Sequence, residues 1–437
     1  MSHFDSWLQY YDSAMTSSST LNFPTATVPL KQDAGVIGLV GMAHLISHFS
    51  QLLLAPLFPW LKVEFNVSYA ELGFLMTLFF VVSCGVQATS GFVVDKVGPR
   101  PVLFAGLALL GLAAFGFSIS TSYAMLAGFS MLAGVGNGVF HPVDYTLLNR
   151  KVSAQRLGHA YSFHGITGSL GWALAPAMLV PVSLAFSWRV ALASAGTLAF
   201  VVLAVLLLNR DKLSLPSIPA ATGKAGETGE VGEVASSKPG NSLDFLRIPA
   251  VWMCFAFFFF YAMALSVVQA FAPEAARQLH DVPLRLVAMC LTIYMVCSAG
   301  GMVVGGFLAA NPARCERVVG AGMGMAAGTA LYLGFGTFAA ATVPVLFGMM
   351  GFFAGISGPS RDLLVKRSTP DNATGRVYGV VYAGLDIGQA VSPLIFGALM
   401  DQRKFSTVLL GLAVVQAVLI ASAFNVRRVR RTALMAA

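Results

Sequence analysis

Three groups of polar side chains interrupt stretches of this sequence that are otherwise apolar. His44, His48 and Gln51 fall within a narrow arc if residues 35–60 are helical, since each residue turns an α-helix by about 100°. Asn137, His141 and Asp144 do the same within residues 123–148, and Tyr378, Tyr382, Asp386 and Gln389 line one side of residues 376–400. His164 stands alone within residues 158–183. Inside a bilayer such ionisable groups cost about 2.5 kcal/mol or more, so they usually face the protein interior and mark a pathway. Histidine titrates near neutral pH, and a carboxylate in apolar surroundings can also exchange a proton there. Either type can carry a proton between two conformations. Asp386, near the middle of its segment, is the best single candidate for that work; the bland alternative is a packed, hydrogen-bonded Asp. For His44 and His48 the alternative is a hydrogen bond to a neighbouring carbonyl.

The spacing of His44-Leu-Ile-Ser-His48 also suits two metal or haem ligands on one helical face. A zinc protease needs Glu beside the first His, and position 45 is Leu. Haem wants a second His pair on a facing helix, and no pair recurs at that spacing. The expectation is therefore no metal and no cofactor. Of the five cysteines, Cys84, Cys254, Cys290 and Cys297 lie in apolar segments and Cys315 in a loop, with no CxxC pair. No nucleophile–base arrangement stands out, so an enzyme is not expected.

These side chains need a frame, and the composition supplies it. Of 437 residues 57% are hydrophobic and 11% charged, with mean hydropathy +0.75, which is too apolar for a water-facing surface of this size. A crossing takes about 20 apolar residues in a helix. Such segments fall near 35–60, 70–93, 101–120, 123–148, 158–183, 188–208, 250–273, 284–310, 317–338, 342–364, 376–400 and 406–425. The short alternating segments of a barrel are missing, and 44 glycines suit close helix approach in lipid. With residue 1 in the cytoplasm, 21 Lys and Arg lie on the cytoplasmic side and six outside: Lys62, Arg189, Arg277, Arg285, Arg403 and Lys404. That asymmetry predicts cytoplasmic termini in a bacterial inner membrane and explains the net charge of +8 without nucleic acid. Residues 1–33, polar and without a basic start, read as a disordered cytoplasmic tail rather than a signal peptide, and 427–437 as a basic tail.

Residues 209–249 are rich in Gly, Pro, Ser and Glu and predict a cytoplasmic linker between two six-helix halves, 34–208 and 250–426. An offset of 217 residues superposes Gly134 on Gly351, Gly138 on Gly355, Pro142 on Pro359, Gly171 on Gly388 and Pro176 on Pro393. Matches mostly at Gly and Pro point to duplicated backbone geometry. Paired halves around a midplane site are the construction of an alternating-access transporter. The same offset relates His44 to Tyr261 and Asp144 to Arg361. Asp144 and Arg361 are expected either to pair across the two-fold and close the inner gate, or to stand as separate helix-end charges.

Between the second and third segments lies Gly91-Phe-Val-Val-Asp95-Lys96-Val-Gly98-Pro-Arg100. This resembles the loop signature of the major facilitator superfamily, and with the six-plus-six plan the resemblance covers about residues 34–426. Physically, Gly91 permits close helix approach, and Asp95 can hold a neighbouring helix N-terminus. The resemblance implies that Asp95 and Arg100 lock the cytoplasmic gate toward the eleventh helix. The equivalent loop of the second half, Gly306 to Arg317, has no Asp at the matching place. Gly138-Val-Phe-His141-Pro142, Gly165-Ile-Thr-Gly168-Ser-Leu-Gly171 through Pro176, and more loosely His48-Phe with Pro56 and Pro59, resemble the fosmidomycin-resistance branch of drug and small-molecule exporters. The Gly-Pro pairing of the general antiporter signature is absent from the fifth segment.

The reading is an all-α membrane protein of twelve transmembrane helices in two pseudo-symmetric six-helix bundles, the major facilitator fold. It is expected to move a small organic solute by alternating access as a monomer, by proton-coupled efflux. The alternative is proton-symport uptake of an organic anion such as a carboxylate, which Arg361 would suit. Gln269 and Tyr261 are weaker members of the pathway. A rival from another class is a non-transporting sensor on a facilitator scaffold, which would usually carry a long structured cytoplasmic extension.

Overall fold

The computed structural model describes residues 29–153, 156–215, 249–309, 314–368 and 374–436. Twelve helices among them are long and apolar enough to cross a membrane. Spans 1 to 6 are Leu30–Phe65, Tyr69–Val97, Pro99–Ser118, Tyr123–Lys151, His159–Ala185 and Trp188–Leu208. Spans 7 to 12 are Val251–Ala270, Leu284–Ala309, Cys315–Phe335, Ala340–Arg361, Ala383–Asp401 and Phe405–Ser422. An even number of crossings puts residue 30, residues 209–215, residue 249 and the end of the last helix on one side, here the terminal face; the other is the distal face. The first helix begins at Leu30, four residues inside the expected tail, and the last runs on through the basic stretch to Ala436. Residues 1–28 and 216–248, the bulk of the expected tail and linker, lie outside the described residues.

The two halves repeat one another in their packing. Span 1 lies on span 5 as span 7 lies on span 11; spans 2 and 4 pair like spans 8 and 10, and spans 3 and 6 like 9 and 12. Glycine makes this possible in lipid, where small residues let backbones approach. A Cβ on Gly171 would lie 2.3 Å from the Leu45 carbonyl oxygen, and one on its repeat mate Gly388 2.3 Å from that of Phe259.

Proline shapes span 4. Pro142 has no N–H to offer the Gly138 carbonyl, and its ring crowds that turn, so the helix breaks between Asn137 and Phe140. The freed Gly138 oxygen accepts a hydrogen bond from Ser90 Oγ of span 2 at 3.4 Å. That break sits among Asn137, His141 and Asp144 and sets their directions.

The halves meet where span 2 packs on span 11 and span 5 on span 8. At the distal face Asp401, ending span 11, accepts hydrogen bonds from the backbone N–H groups of Tyr69 (2.7 Å) and Ala70 (2.9 Å), which begin span 2. Tyr69 Oη donates to Glu274 Oε1 at 2.9 Å, and Glu274 is held by Arg277 through two contacts of 2.7 Å. The Glu274 bonds push the Arg277 guanidinium above its ordinary pKa. This face is closed by contacts that cross between the halves.

Candidate functional site

Four histidines and one aspartate converge inside the first half. Asp144 is fully buried, and His164 Nε2 of span 5 donates to its Oδ2 at 3.0 Å. His44 Nδ1 of span 1 comes within 3.1 Å of the same oxygen without the alignment of a hydrogen bond. The His44 and His164 rings stack at 3.5 Å, and the His48 ring lies 4.4 Å from that of His44 and 4.3 Å from the Trp172 ring. His141 joins from span 4, its ring 5.5 Å from His44. All four stand out in the sequence as polar interruptions; the fold brings them together because Gly168 and Gly171 draw spans 1 and 5 into contact.

A chain of amides leads outward from this cluster. Ser47 Oγ donates to Asn137 Oδ1 at 2.8 Å, and Asn137 Nδ2 donates to Ser83 Oγ at 2.9 Å. Gln51 Nε2 also reaches Asn137 Oδ1, while Trp172 Nε1 donates to Gln51 Oε1 at 2.9 Å. Gln87 of span 2 carries the connection across the protein. Its Oε1 lies 2.8 Å from His141 Nδ1, and its Nε2 donates to Asp386 Oδ2 at 3.1 Å. Asp386 belongs to span 11, so a carboxylate of the second half is tied to a histidine of the first through one side chain.

The second half contributes less. Arg361 lies over the Tyr261 ring at 4.3 Å and the Phe258 ring at 5.7 Å. Gln389 Nε2 donates to Gln269 Oε1 at 3.4 Å, both residues buried. The side chains of Tyr378 and Tyr382 lie outside the described residues.

Asp144 and Arg361 stand apart from one another in this structure, the second of the two expected arrangements: each lies against the span-1 or span-7 residue of its own half, His44 or Tyr261. The offset of 217 residues therefore relates two intra-half contacts, because neighbouring helices of one repeat pack more closely than the mates across the dyad. Gly91 makes no close approach: a Cβ there would meet nothing within 4 Å. Around it, Asp95 and Lys96 are exposed, and Asp95 makes no hydrogen bond or ion pair among the described residues. Arg100 instead donates to Ser214 Oγ at the end of the first half. Gly98 has a clear role, turning span 2 into span 3 with φ of 85°, in the left-handed region that favours glycine.

Gln87 and Asp401 were missed. Gln87 is a lone amide in span 2, a signal present in the sequence; Asp401 looks like an ordinary helix-end charge until span 2 is placed beside it.

Twelve spans in two repeated bundles, with buried polar groups between them, define a multi-pass membrane transporter for small solutes. A sequence profile of the Major Facilitator Superfamily matches residues 40–349 and 283–434, and the chain belongs to that family. The family is one of transporters, not enzymes. The chain is 28% identical over 190 residues to the fosmidomycin resistance protein of Escherichia coli, a match spanning 42% of this chain and 43% of that protein. It is 20% identical to a probable sulfoacetate transporter of Cupriavidus necator over 84% of this chain and 87% of the relative. Its fold resembles a bacterial homologue of the human lysosomal transporter Spinster, solved inward-facing and occupied, with TM-score 0.73 at 12% identity over 92% of this chain and 98% of that one.

Proposed function

We propose that this chain exports a small organic solute from a bacterial cytoplasm in exchange for protons, as a monomer in the inner membrane with the terminal face inside. The carrying observation is the Gln87 bridge between His141 and Asp386. A hydrogen bond to a charged acceptor is roughly twice as strong as one between neutral groups. Ionised Asp386 therefore holds span 2 against span 11, and protonated Asp386 loosens that hold. Proton occupancy thereby biases how the halves rock, which is the requirement for coupling.

The orientation rests on the basic residues, since the six expected outside all lie at or near the distal ends of spans. The distal face is closed by the contacts of Asp401 and Glu274, which supports reading this state as open toward the cytoplasm, with Asp95 engaging the start of span 11 in the opposite state. Export is supported by the likeness to the fosmidomycin resistance protein, which lies in less than half of each chain.

A second reading is symport of an organic anion into the cell. Arg361, seated on Tyr261 inside the second half, would suit a carboxylate or sulfonate, and the longer likeness to a probable sulfoacetate transporter supports it. Solute accumulation in deletion and overexpressing cells, across a panel of drugs and organic acids, tests both. Lower accumulation of a solute on overexpression supports export, and higher accumulation supports uptake. No change for any solute in the panel counts against both.

A further inference from the structure

Three of the clustered histidines are arranged as a ligand set. The geometry points to a site for a divalent first-row transition cation on His44, His48 and His141, in which all three rings bind through Nε2. This goes beyond the proton-coupled transport proposed above.

Ring placement decides between the two sets that the cluster offers. An ion held at about 2.0–2.1 Å by three imidazole nitrogens, at tetrahedral or octahedral angles, leaves ring centroids about 4.5–5.3 Å apart. The His44, His48 and His141 centroids are separated by 4.4, 5.5 and 6.4 Å, with planes inclined by 51°, 58° and 87°. One ring nitrogen from each of these histidines, Nδ1 or Nε2, lies within 4.8 Å of the others, so a closure of no more than about 1.5 Å brings one nitrogen per ring to a tetrahedral edge, and a turn of the His48 ring presents its Nε2. The other trio, His44, Asp144 and His164, is excluded by ring orientation rather than by distance. Its two rings stack at 3.5 Å and 24°, so their in-plane lone pairs run side by side and do not converge.

The outer contacts agree. A metal-bound histidine usually turns its second nitrogen to a carboxylate, an amide or a backbone carbonyl, which fixes the tautomer. His44 turns Nδ1 toward Asp144 at 3.1 Å, and His141 turns Nδ1 toward Gln87 Oε1 at 2.8 Å. His48 lies with Nδ1 beside the Gly168 backbone, short of hydrogen-bond geometry, and its Nε2 is buried with no protein partner. An imidazole so placed needs a partner from outside the protein. Gly168 keeps the space open, since a Cβ there would lie 3.1 Å from His44 Nε2. The adjacent Asp144 offsets part of the ion's charge, Trp172 shields one side, and His48 and His141 are less deeply buried than His44. Three neutral imidazoles suit zinc, nickel or copper over calcium or magnesium, and they leave a fourth position for water or a solute group.

Only the His44–His48 pair has ligand spacing along the chain, because the third ligand comes from another span, 93 residues beyond His48.

The test uses full-length protein in detergent, purified without a histidine tag and stripped with chelator. Titration with Co2+ should give about one equivalent per chain, with visible absorption bands of three-nitrogen coordination. His48→Ala and His141→Ala should each bind less than about one-tenth of that, while Asp144→Asn should weaken binding by about tenfold or more through the outer contact. Asp386→Asn should bind like wild type. Variants that elute and melt like wild type yet keep full Co2+ binding overturn the site, as does wild-type protein that binds none. Because binding is read at equilibrium with no transport, its failure leaves the proton-coupled reading standing, and the reverse also holds.

Discussion

Asp401→Ala should open the distal face. Both carboxylate oxygens of Asp401 receive backbone N–H groups from the first turn of span 2, at 2.7 and 2.9 Å, so span 11 caps a helix of the other half. Loss of an N-terminal cap costs about 0.5–2 kcal/mol, and a carboxylate at the positive end of a helix adds a few tenths to about 1. The Asp401 side chain is 27% exposed, so solvent screens part of this, and about 1–2 kcal/mol is the working figure. Tyr69–Glu274 remains to hold the face partly shut. A loss of 1–2 kcal/mol is a factor of about 5–30 in the ratio of distal-closed to distal-open molecules. Spin labels at Val63 and Lys404, on opposite halves at the distal ends, would read that ratio as a distance distribution. The variant should transfer population to the longer distance with little change in either peak position. Identical distributions in wild type and variant would refute the capping argument, and a merely broadened one would point to local unfolding.

Other perturbations separate packing from chemistry. Gly171→Ala and Gly355→Ala place a Cβ 2.3 Å from the Leu45 oxygen and 2.0 Å from the Ser298 oxygen. Each should cost about 1–3 kcal/mol or more by overpacking and lower the melting temperature in detergent, whereas Gly91→Ala, in open space, should not. Among the described residues His164 is the one aligned donor to fully buried Asp144, so His164→Ala should destabilise by about 3–5 kcal/mol, read in the same melt. His164→Asn, which can still donate, should recover part of that loss.

The span plan is legible because lipid imposes a length and a composition on every crossing: ten of the twelve structural spans start and end within a few residues of the segments read from hydropathy, span 1 runs about five residues longer at each end, and span 11 begins seven residues later than the expected segment. The polar members of the pathway were also visible, since His44, His141, Asp144 and Asp386 stand out against apolar neighbours. What could not be read was which of them meet. Periodicity places His44 on a helix face but does not say that Gly171 lets span 5 bring His164 onto that face. The repeat offset paired Asp144 with Arg361 as equivalents, yet equivalent positions face their own bundles. Gln87 depends on the crossing of spans 2 and 11, a contact between halves that no local pattern encodes.

The central claim is that the charge on Asp386 links the two halves to a proton gradient. It is tested by flux, in proteoliposomes under an imposed pH gradient, of whichever panel solute changes its accumulation on overexpression, wild type against Asp386→Asn. Gradient-driven flux should vanish in the variant while exchange without a gradient persists. Undiminished accumulation by the variant would contradict the claim and take Asp386 out of the coupling.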